Sequence, residues 1–261
     1  MGALCKIISW NINSVRSRIG IFKQLLAERN PDIVLLQETK VTDDAFPYQE
    51  FEDTPYNISV HGQKSYNGVA IFSKTEIDVI QKGFDKDFAD FNGEARFLYV
   101  ATNGLQVASL YAPNGQEVGA FQYYYKLAFY DELLSLMREE KSEDFLIGGD
   151  FNIALTDDDV YNPVAWAGKN TCSEEERKKM RAMILDLDFH DVWREMHGEA
   201  REYSWWDYRC QGFQKNYGLR IDYFMASASL NKKVHSCSVL RQYRAMEKPS
   251  DHAPIEIEIS I

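Results

Sequence analysis

The chain has 261 residues, a formal net charge of −11, and a composition that is 45% hydrophobic and 26% charged. A chain of this length can bury a substantial core without disulfides, and with no shift in composition along it we expect one domain over residues 1–261. The acidity lowers the expectation of nucleic-acid binding without excluding it, because a cation bound by carboxylates inverts the local charge.

The four cysteines lie far apart, with no Cys-x-x-Cys spacing, and we expect no signal peptide before them. This distribution favours reduced thiols in a cytoplasmic protein. No apolar run approaches the roughly 20 residues that a membrane-spanning helix needs. We therefore expect no membrane association, and we further expect a monomer.

The first part of the sequence alternates between strand-like and helix-like segments. Strands are predicted at residues 6–12 and 33–37, and between them a helix ends at Asn30-Pro31. The apolar face of this helix consists of Ile21, Phe22, Leu25 and Leu26. The order strand, helix, strand is typical of an α/β fold.

The middle of the sequence is richer in strands. One is predicted at residues 69–72, and Asn103-Gly104 predicts a hairpin turn between strands at 97–101 and 106–110. A second helix follows, with an apolar face formed by Leu127, Tyr130, Leu134 and Met137.

The last part of the sequence contains a capping box, Ser173 with Glu176, that starts a third helix. Four strands are predicted before and after it, at residues 145–147, 219–225, 234–240 and 255–259. Hairpins exclude a purely parallel sheet, so the sequence predicts mixed β-sheets with helices outside.

Polar residues stand at the ends of several predicted strands, where packing alone would favour apolar ones. They are Asn11, Glu38, Tyr111, Asp150 and Asn152. Glu38 directly follows the strand at 33–37, and Mg²⁺ prefers oxygen ligands such as carboxylates and water. Glu38 is therefore a candidate metal ligand, and the alternative is a solvated carboxylate at a strand end.

The segment Gly148-Gly149-Asp150-Phe151-Asn152 follows another strand. We interpret the two glycines as allowing a sharp turn. The i, i+2 spacing puts the Asp150 carboxylate and the Asn152 amide on the same side of an extended segment, where a base and a phosphate donor would converge. The alternative is an Asx turn, in which these side chains bond to their own backbone.

Ser250-Asp251-His252 supplies an imidazole just before the last predicted strand. A protonated histidine stabilises a developing oxyanion when a carboxylate orients it. Two carboxylates are candidates for that role: Asp251, beside the histidine, and Asp222, which lies in an apolar strand and needs a partner. The other four histidines lie in ordinary polar surroundings, and we interpret them as structural or solvated.

Residues 203–208 form an aromatic cluster next to Arg209 and Lys215. Aromatic rings beside basic groups suit stacking on nucleobases or sugars along a phosphate track. A corner of the core is the alternative. Asn67 belongs to a polar loop that would suit contact with a nucleic-acid backbone.

Together these segments resemble the exodeoxyribonuclease III and apurinic/apyrimidinic endonuclease family, within the endonuclease/exonuclease/phosphatase superfamily. The resemblance covers almost the whole chain, and its motifs come in the family's order. They are Ile8-Ser9-Trp10-Asn11-Ile12-Asn13, Leu36-Gln37-Glu38-Thr39-Lys40, Asn67-Gly68-Val69-Ala70, Tyr111-Ala112-Pro113-Asn114-Gly115, Gly149-Asp150-Phe151-Asn152, Ser204-Trp205-Trp206-Asp207-Tyr208, Gly218-Leu219-Arg220-Ile221-Asp222-Tyr223 and Lys248-Pro249-Ser250-Asp251-His252-Ala253-Pro254.

The resemblance implies a four-layered α/β sandwich, in which two mixed β-sheets pack face to face with helices outside and a single site lies at the edge of the sheets. It also implies a Mg²⁺ ion, for which Mn²⁺ is expected to substitute. The residues implied at the metal are Glu38, Asn11, Asp150, Asn152 and Asp251.

The implied catalytic roles follow the same likeness. Asp150 would position or deprotonate the attacking water. His252, oriented by Asp222, would contact the scissile phosphate, and so would Tyr111 and Asn152. The implied reaction is hydrolysis of double-stranded DNA 5′ to abasic sites, leaving a 3′-hydroxyl, with 3′→5′ exonuclease and 3′-phosphatase activity on blocked 3′ ends, as in base excision repair.

Lesion recognition in the family uses an apolar pocket for a flipped abasic sugar, and extrusion is cheap where no base is stacked. Trp205, Leu219 and Ile221 occupy the matching positions. The other implied DNA contacts are Asn13, Lys40, Asn67, Asn114, Arg209 and Asn216.

The chain departs from some members at two positions. Glu117 stands where some place a DNA-inserting arginine, and Asn13 stands where some have an aspartate. Two other functions share part of the motif set: a phosphatase of small phosphoesters and a catalytically inactive DNA-binding scaffold. The segments 205–208 and 218–222 favour DNA over a small phosphoester, and the complete polar set argues against a scaffold.

Overall fold

The computed structural model describes residues 3–84, 93–140 and 143–261. Its strands in these ranges are β1 (Leu4–Asn11), β2 (Ile33–Gln37), β3 (Asn57–His61), β4 (Val69–Ser73), β5 (Asp78–Lys82), β6 (Phe97–Thr102), β7 (Leu105–Tyr111), β8 (Phe145–Asp150), β9 (Phe189–Asp191), β10 (Trp205–Trp206), β11 (Gly218–Leu219), β12 (Asp222–Ser227), β13 (Val234–Val239) and β14 (Ile255–Ser260). The helices are α1 (Ile19–Arg29), α2 (Phe121–Glu139), α3 (Pro163–Trp166), α4 (Glu174–Leu187), α5 (Val192–His197), α6 (Ala228–Asn231) and α7 (Arg241–Arg244).

Two six-stranded sheets form the centre of the fold. The first has the order β13-β14-β1-β2-β4-β3, and the second has the order β5-β6-β7-β8-β12-β9. The pairs β1–β2 and β7–β8 are parallel, and the other pairings of the two sheets are antiparallel. Both sheets are therefore mixed, as predicted.

Three apolar clusters separate four layers. The central cluster packs the facing sides of the two sheets together, for example Ile7 and Leu35 with Val107 and Phe224. A second cluster covers the other face of the first sheet with α1, and a third covers the other face of the second sheet with α2 and α4. The predicted sandwich with helices outside is confirmed.

The two parallel pairs determine where the polar residues meet. Asn11 at the end of β1 lies opposite Gln37 at the end of β2, and Tyr111 at the end of β7 lies opposite Asp150 at the end of β8. Because both pairs end at the same edge of the sandwich, the Asn11 side chain reaches across and donates to Asp150 (2.9 Å).

The single strand predicted over residues 219–225 is wrong. The segment splits into β11, which pairs with β10 in a small separate sheet, and β12, which joins the second large sheet. Between them the Arg220 side chain turns inward and forms ion pairs with Asp159 and Asp191. A buried arginine needs these partners, and satisfying it interrupts the strand.

The expectation of a sharp turn at Gly148-Gly149 is also wrong, because both glycines lie inside β8. They are needed for close packing. A Cβ on Gly149 would lie 1.9 Å from the Leu110 carbonyl oxygen, and one on Gly148 would lie 2.6 Å from Leu35. A side chain at position 148 would therefore collide with the facing sheet, and one at position 149 with the neighbouring strand β7.

Several shorter predictions hold. The Asn103-Gly104 hairpin is confirmed, with both residues at positive φ as such a turn requires. The Ser173–Glu176 capping box is present, and the four cysteines have free thiols. Strands β3 and β5 were not predicted. In the described part of the chain no helix is long and apolar enough to span a bilayer.

Candidate active site

A cavity of about 720 Å³ opens at the edge where the parallel strands end. Its floor carries five side chains from both sheets and from the turn before β14: Glu38, Tyr111, Asp150, Asp251 and His252. We call the side of the cavity formed by Asn114, Asn152 and Asn170 the polar wall. We call the side formed by Trp166, Trp205, Leu219 and Ile221 the apolar wall.

Glu38 is held at the floor by two donors. Its backbone has a positive φ of 51°, which turns the chain out of β2. Asn11 donates to Glu38 Oε1 (2.9 Å) with the same amide nitrogen that donates to Asp150, and the Lys40 ammonium lies 2.8 Å from Oε2. This is not a freely solvated carboxylate, because both of its oxygens have protein partners.

Asp150 and Asn152 combine the two arrangements considered for them. The Asn152 backbone N–H donates to Asp150 Oδ1 (2.9 Å), which is an Asx turn, and the left-handed φ of 52° at Asn152 accompanies it. The Asn152 amide also donates to Asp150 Oδ2 (3.2 Å) and to the Ala112 carbonyl (2.9 Å). The local turn therefore brings the carboxylate and the amide together.

The structure selects between the two carboxylates considered for His252. Nδ1 of the ring donates to Asp222 Oδ2 (2.8 Å), across the start of β12. Asp251 accepts instead from Asn13 (2.8 Å) and from the Trp205 indole (3.0 Å). Nε2 is left on the side of Asp150, 3.7 Å from Oδ2.

Burial and charge together set the protonation of this floor. Burial raises the pKa of Asp150 to about 7, with the Asp222 and Glu38 carboxylates adding to the effect and His252 opposing it. Burial disfavours the charged His252 ring, but the Asp222 and Asp150 carboxylates outweigh it and raise the pKa of His252 to about 10. The arrangement pairs a carboxylate that can accept a proton near neutral pH with an imidazolium that donates.

Tyr111 is partly buried in this floor, and desolvation raises the pKa of its hydroxyl well above the ordinary value, with the nearby Glu38 carboxylate adding to the effect. The Arg96 guanidinium lies 4.9 Å from the centre of its ring and forms an ion pair with Glu94. Tyr111 therefore stays a neutral hydroxyl that can donate a hydrogen bond into the cavity.

The donor atoms of Glu38, Asp150 and His252 lie within 4.8 Å of one another. His252 is the least suitable of the three as a ligand, because Nδ1 is bonded to Asp222 and the ring carries a proton. The two carboxylates remain, and oxygen donors fit a hard divalent cation. Their mutual repulsion, visible in the raised pKa of Asp150, is what such a cation would relieve. The residues present therefore fit a metal ion of this kind.

The apolar wall contains the three residues expected for a lesion pocket and one that was missed. Leu219 and Ile221 lie in one buried cluster, and Trp205 and Trp166 pack against it from the cavity side. Trp166 comes from the short helix α3, which begins at Pro163 after an Asn162 cap. The Asn-Pro pair was a visible signal for this helix, but nothing in the sequence linked it to Leu219.

The other residues implied as DNA contacts fall into two groups. Asn114 and Arg209 line the cavity, and Arg209 forms an ion pair with Asp207. Four lie outside its lining: Lys40 and Asn13, which bond to each other beside Glu38; Asn67, whose amide donates to Gln63; and Asn216, whose side chain accepts from Trp206 and Arg241. In this structure Asn67 and Asn216 therefore stabilise loops through these hydrogen bonds.

The polar wall depends on a side chain that the sequence analysis overlooked. Lys126 of α2 lies behind the wall and donates to the backbone carbonyl of Asn152 (2.6 Å). A lysine on the apolar face of a helix was a signal, because such a side chain must find acceptors.

Comparisons with known proteins agree with this geometry. The sequence pattern of the Endonuclease/Exonuclease/phosphatase family matches residues 8–252. The chain is similar to exodeoxyribonuclease III of Haemophilus influenzae, with 36% identity over 97% of this chain and 99% of the relative. It is also similar to an exodeoxyribonuclease of Bacillus subtilis, with 32% identity over 98% of this chain and 100% of that one.

Two solved structures resemble the fold closely. One is the 3′ phosphatase NExo from Neisseria bound to a product DNA hairpin, with a TM-score of 0.94, 35% identity, and coverage of 98% of this chain and 100% of that one. The other is an AP endonuclease from Archaeoglobus fulgidus, with a TM-score of 0.92, 33% identity, and the same coverage.

Proposed function

Since the chain belongs to the Endonuclease/Exonuclease/phosphatase family, we propose that it is a hydrolytic DNA-repair nuclease that cuts double-stranded DNA 5′ to abasic sites and leaves a 3′-hydroxyl. We include 3′→5′ exonuclease and 3′-phosphatase activity on blocked 3′ ends. The relatives named exodeoxyribonuclease, 3′ phosphatase and AP endonuclease support this range. Monomeric state and cytoplasmic location stay predictions.

The observation that carries the proposal is the convergence of a base and several donors on one floor. Asp150 is buried, bonded by Asn11 and Asn152, and lies 3.7 Å from His252 Nε2. In the proposed reaction Asp150 accepts a proton from the attacking water. His252, held by Asp222, donates to the phosphate oxygen on which charge builds.

Tyr111 and Asn152 supply further donors around the same phosphate in this proposal, and Asn152 does so by releasing the longer of its two amide hydrogen bonds, the 3.2 Å bond to Asp150. The pKa of Tyr111 is raised by burial, so the hydroxyl keeps its proton at neutral pH. Fixed donors in a buried site stabilise developing charge without reorganising at the moment of reaction.

The proposed metal is Mg²⁺, held by Glu38, with Asn11, Asp150, Asn152 and Asp251 as supporting groups. When bound, such an ion acts as a Lewis acid on a phosphate or leaving-group oxygen. Mn²⁺ is expected to substitute, because it accepts the same oxygen ligands.

The apolar wall supports an abasic sugar as the recognised lesion. Trp205, Leu219 and Ile221 present apolar surface within the same cavity as the floor. A deoxyribose without a base fits such a surface and is cheap to extrude, whereas a small, highly charged phosphoester gains nothing from it.

The test uses a duplex with one synthetic abasic site and the wild-type protein with Mg²⁺, Mg²⁺ plus EDTA, and the Asp150→Ala variant. We expect strand cleavage 5′ to the site only with the wild-type protein and free Mg²⁺. An intact strand in all three reactions, together with hydrolysis of a small phosphoester by the wild type, would overturn the proposal.

A further inference from the structure

A fully buried ion pair lies directly behind the polar wall. Lys126 comes from α2 and Glu176 from α4, and both side chains are 0% exposed. Burying two charges is costly unless each also has well-placed hydrogen-bond partners. The partners of this pair therefore indicate what it is for.

The Lys126 ammonium has three hydrogens and three acceptors. It donates to the backbone carbonyls of Asn152 (2.6 Å) and Asn114 (3.2 Å) and to the Glu176 carboxylate. Two of the three acceptors therefore belong to the backbone of polar-wall residues. Hydrogen bonds from a charged donor are stronger than neutral ones, so Lys126 holds these two carbonyls firmly.

Glu176 ties the pair to the segment that carries Asn170. Its two carboxylate oxygens accept from the backbone N–H groups of Thr171 (3.0 Å) and Ser173 (3.1 Å). The Asn170 amide in turn donates to the Asn114 carbonyl (2.8 Å), the same oxygen that Lys126 contacts. Three segments that are distant in sequence thus meet at one buried pair.

The side chains of the wall continue this network towards the cavity. Asn114 donates to the Asn152 side-chain oxygen (3.3 Å), and the Asn152 amide donates to Asp150 (3.2 Å). Because Asp150 is the proposed base, a displacement of Asn114 or Asn152 reaches the reacting centre through at most two hydrogen bonds.

We propose that Lys126 and Glu176 are positioning residues, which fix the spacing of Asn114, Asn152 and Asn170 so that the polar wall meets a DNA phosphate in a productive geometry. This inference rests on the proposed function for its substrate. The pair touches no reacting atom, and it acts through the carbonyls that it holds from behind.

The test removes both charges with the double variant K126M/E176Q, which keeps the side-chain volumes. We expect a folded protein whose kcat on the abasic duplex is lower by about 10- to 100-fold, because misplacement by about 1 Å can cost 10²-fold. KM should change less. A purely structural pair would instead lower the melting temperature without this split between kcat and KM.

A double-mutant cycle identifies the route of the effect. Asn114→Ala is measured in the wild-type background and in K126M/E176Q. If the pair acts by positioning Asn114, the loss caused by Asn114→Ala should shrink to near zero in the second background. Trp205→Ala, on the opposite wall, should cause the same loss in both.

Two controls separate this inference from the proposed function. The pair Arg29–Glu256 lies outside the cavity lining, and R29M/E256Q should leave kcat unchanged. The same cycle is repeated on kcat for hydrolysis of a small phosphoester, which needs no abasic DNA. If wild-type protein leaves the abasic duplex intact and hydrolyses the small phosphoester, the proposed function fails, and this second cycle still decides the positioning role.

A folded K126M/E176Q protein with wild-type kcat and an undiminished Asn114→Ala effect would overturn the inference. If the double variant does not fold, the single variant E176Q takes its place in the same cycle, because it keeps the volume while its amide nitrogen can no longer accept the hydrogen bonds that one Glu176 oxygen accepts. Additive losses in E176Q would overturn the inference equally.

Discussion

The two walls of the cavity are built by different interactions. The polar wall is positioned by directional hydrogen bonds, such as the 2.6 Å bond from Lys126 to the Asn152 carbonyl. The apolar wall is positioned by packing, with Leu219 and Ile221 inside a buried cluster and two tryptophans against it. Directional bonds fix a donor to within a fraction of an ångström, whereas packing fixes a surface and its shape.

This difference suggests that the two walls have separate roles in catalysis and in substrate selection. Every phosphoester substrate needs donors at the phosphate, so the polar wall and the floor should set the rate for all substrates. A sugar without a base needs only a matching apolar surface, so the apolar wall should set the choice among substrates. Each of the following predictions tests one side of this division.

The largest effect is expected on the floor that both walls share. Asp150→Asn keeps the shape and removes the proposed base, so kcat should fall by about 10²–10⁴-fold. The loss should be similar for an abasic duplex and for a 3′-phosphate end, as measured by gel-based cleavage and phosphate release. A loss confined to one substrate would contradict a shared floor.

The next largest effect concerns His252 and Asp222, which are joined by a 2.8 Å hydrogen bond. Removing one donor to a developing oxyanion costs about 10²–10³ in kcat, so His252→Ala should lose that much. Asp222→Ala should add little to it, because the two residues act as one unit. Multiplicative losses in the double variant would argue against the pairing.

How much of this site the sequence predicts depends on how far apart in sequence the contacting residues are. The position of Glu38 at the end of a strand was predicted correctly, because it follows an apolar run that forms β2. From the residues alone the partner of His252 stayed open between Asp251 and Asp222, and the family likeness implied Asp222. Only the pairing of β12 with β8, which sets Asp222 opposite Asp150, decides it.

The two walls also differ in how well the sequence predicts them. The apolar wall was largely predicted, since its residues are apolar where the family likeness expects them, but Trp166 lies on a short helix over fifty positions before Leu219. The support of the polar wall was missed because Lys126 binds backbone carbonyls, which carry no signal of their own in a sequence.

A smaller and more selective effect is expected at the apolar wall. Trp166→Ala enlarges the pocket beside Leu219 and Ile221. A single methylene in an apolar pocket already changes discrimination by about 10- to 200-fold. We expect selectivity for abasic over undamaged duplex to fall roughly tenfold, while 3′-phosphate release stays constant. Equal losses on both substrates would show that this wall also affects the chemistry.

The smallest effect is expected at two glycines with the same backbone angle. Gly115 and Gly119 both have a φ of +90°, but a Cβ on Gly115 would lie 2.6 Å from Asn170 Oδ1 and 3.0 Å from Lys126, while one on Gly119 would meet no atom within 4 Å. In each alanine variant the unfavourable positive φ alone should lower the free energy of unfolding by about 1–2 kcal/mol.

The difference between the two variants isolates the polar wall. Gly115→Ala should unfold at a lower temperature than Gly119→Ala in a thermal melt, because Asn170 must also move. Only Gly115→Ala should lower kcat, since that movement displaces Asn170 and the Asn114 carbonyl to which it donates. If the two variants have the same kcat, the polar wall tolerates displacement, and its separation from the apolar wall loses its physical basis.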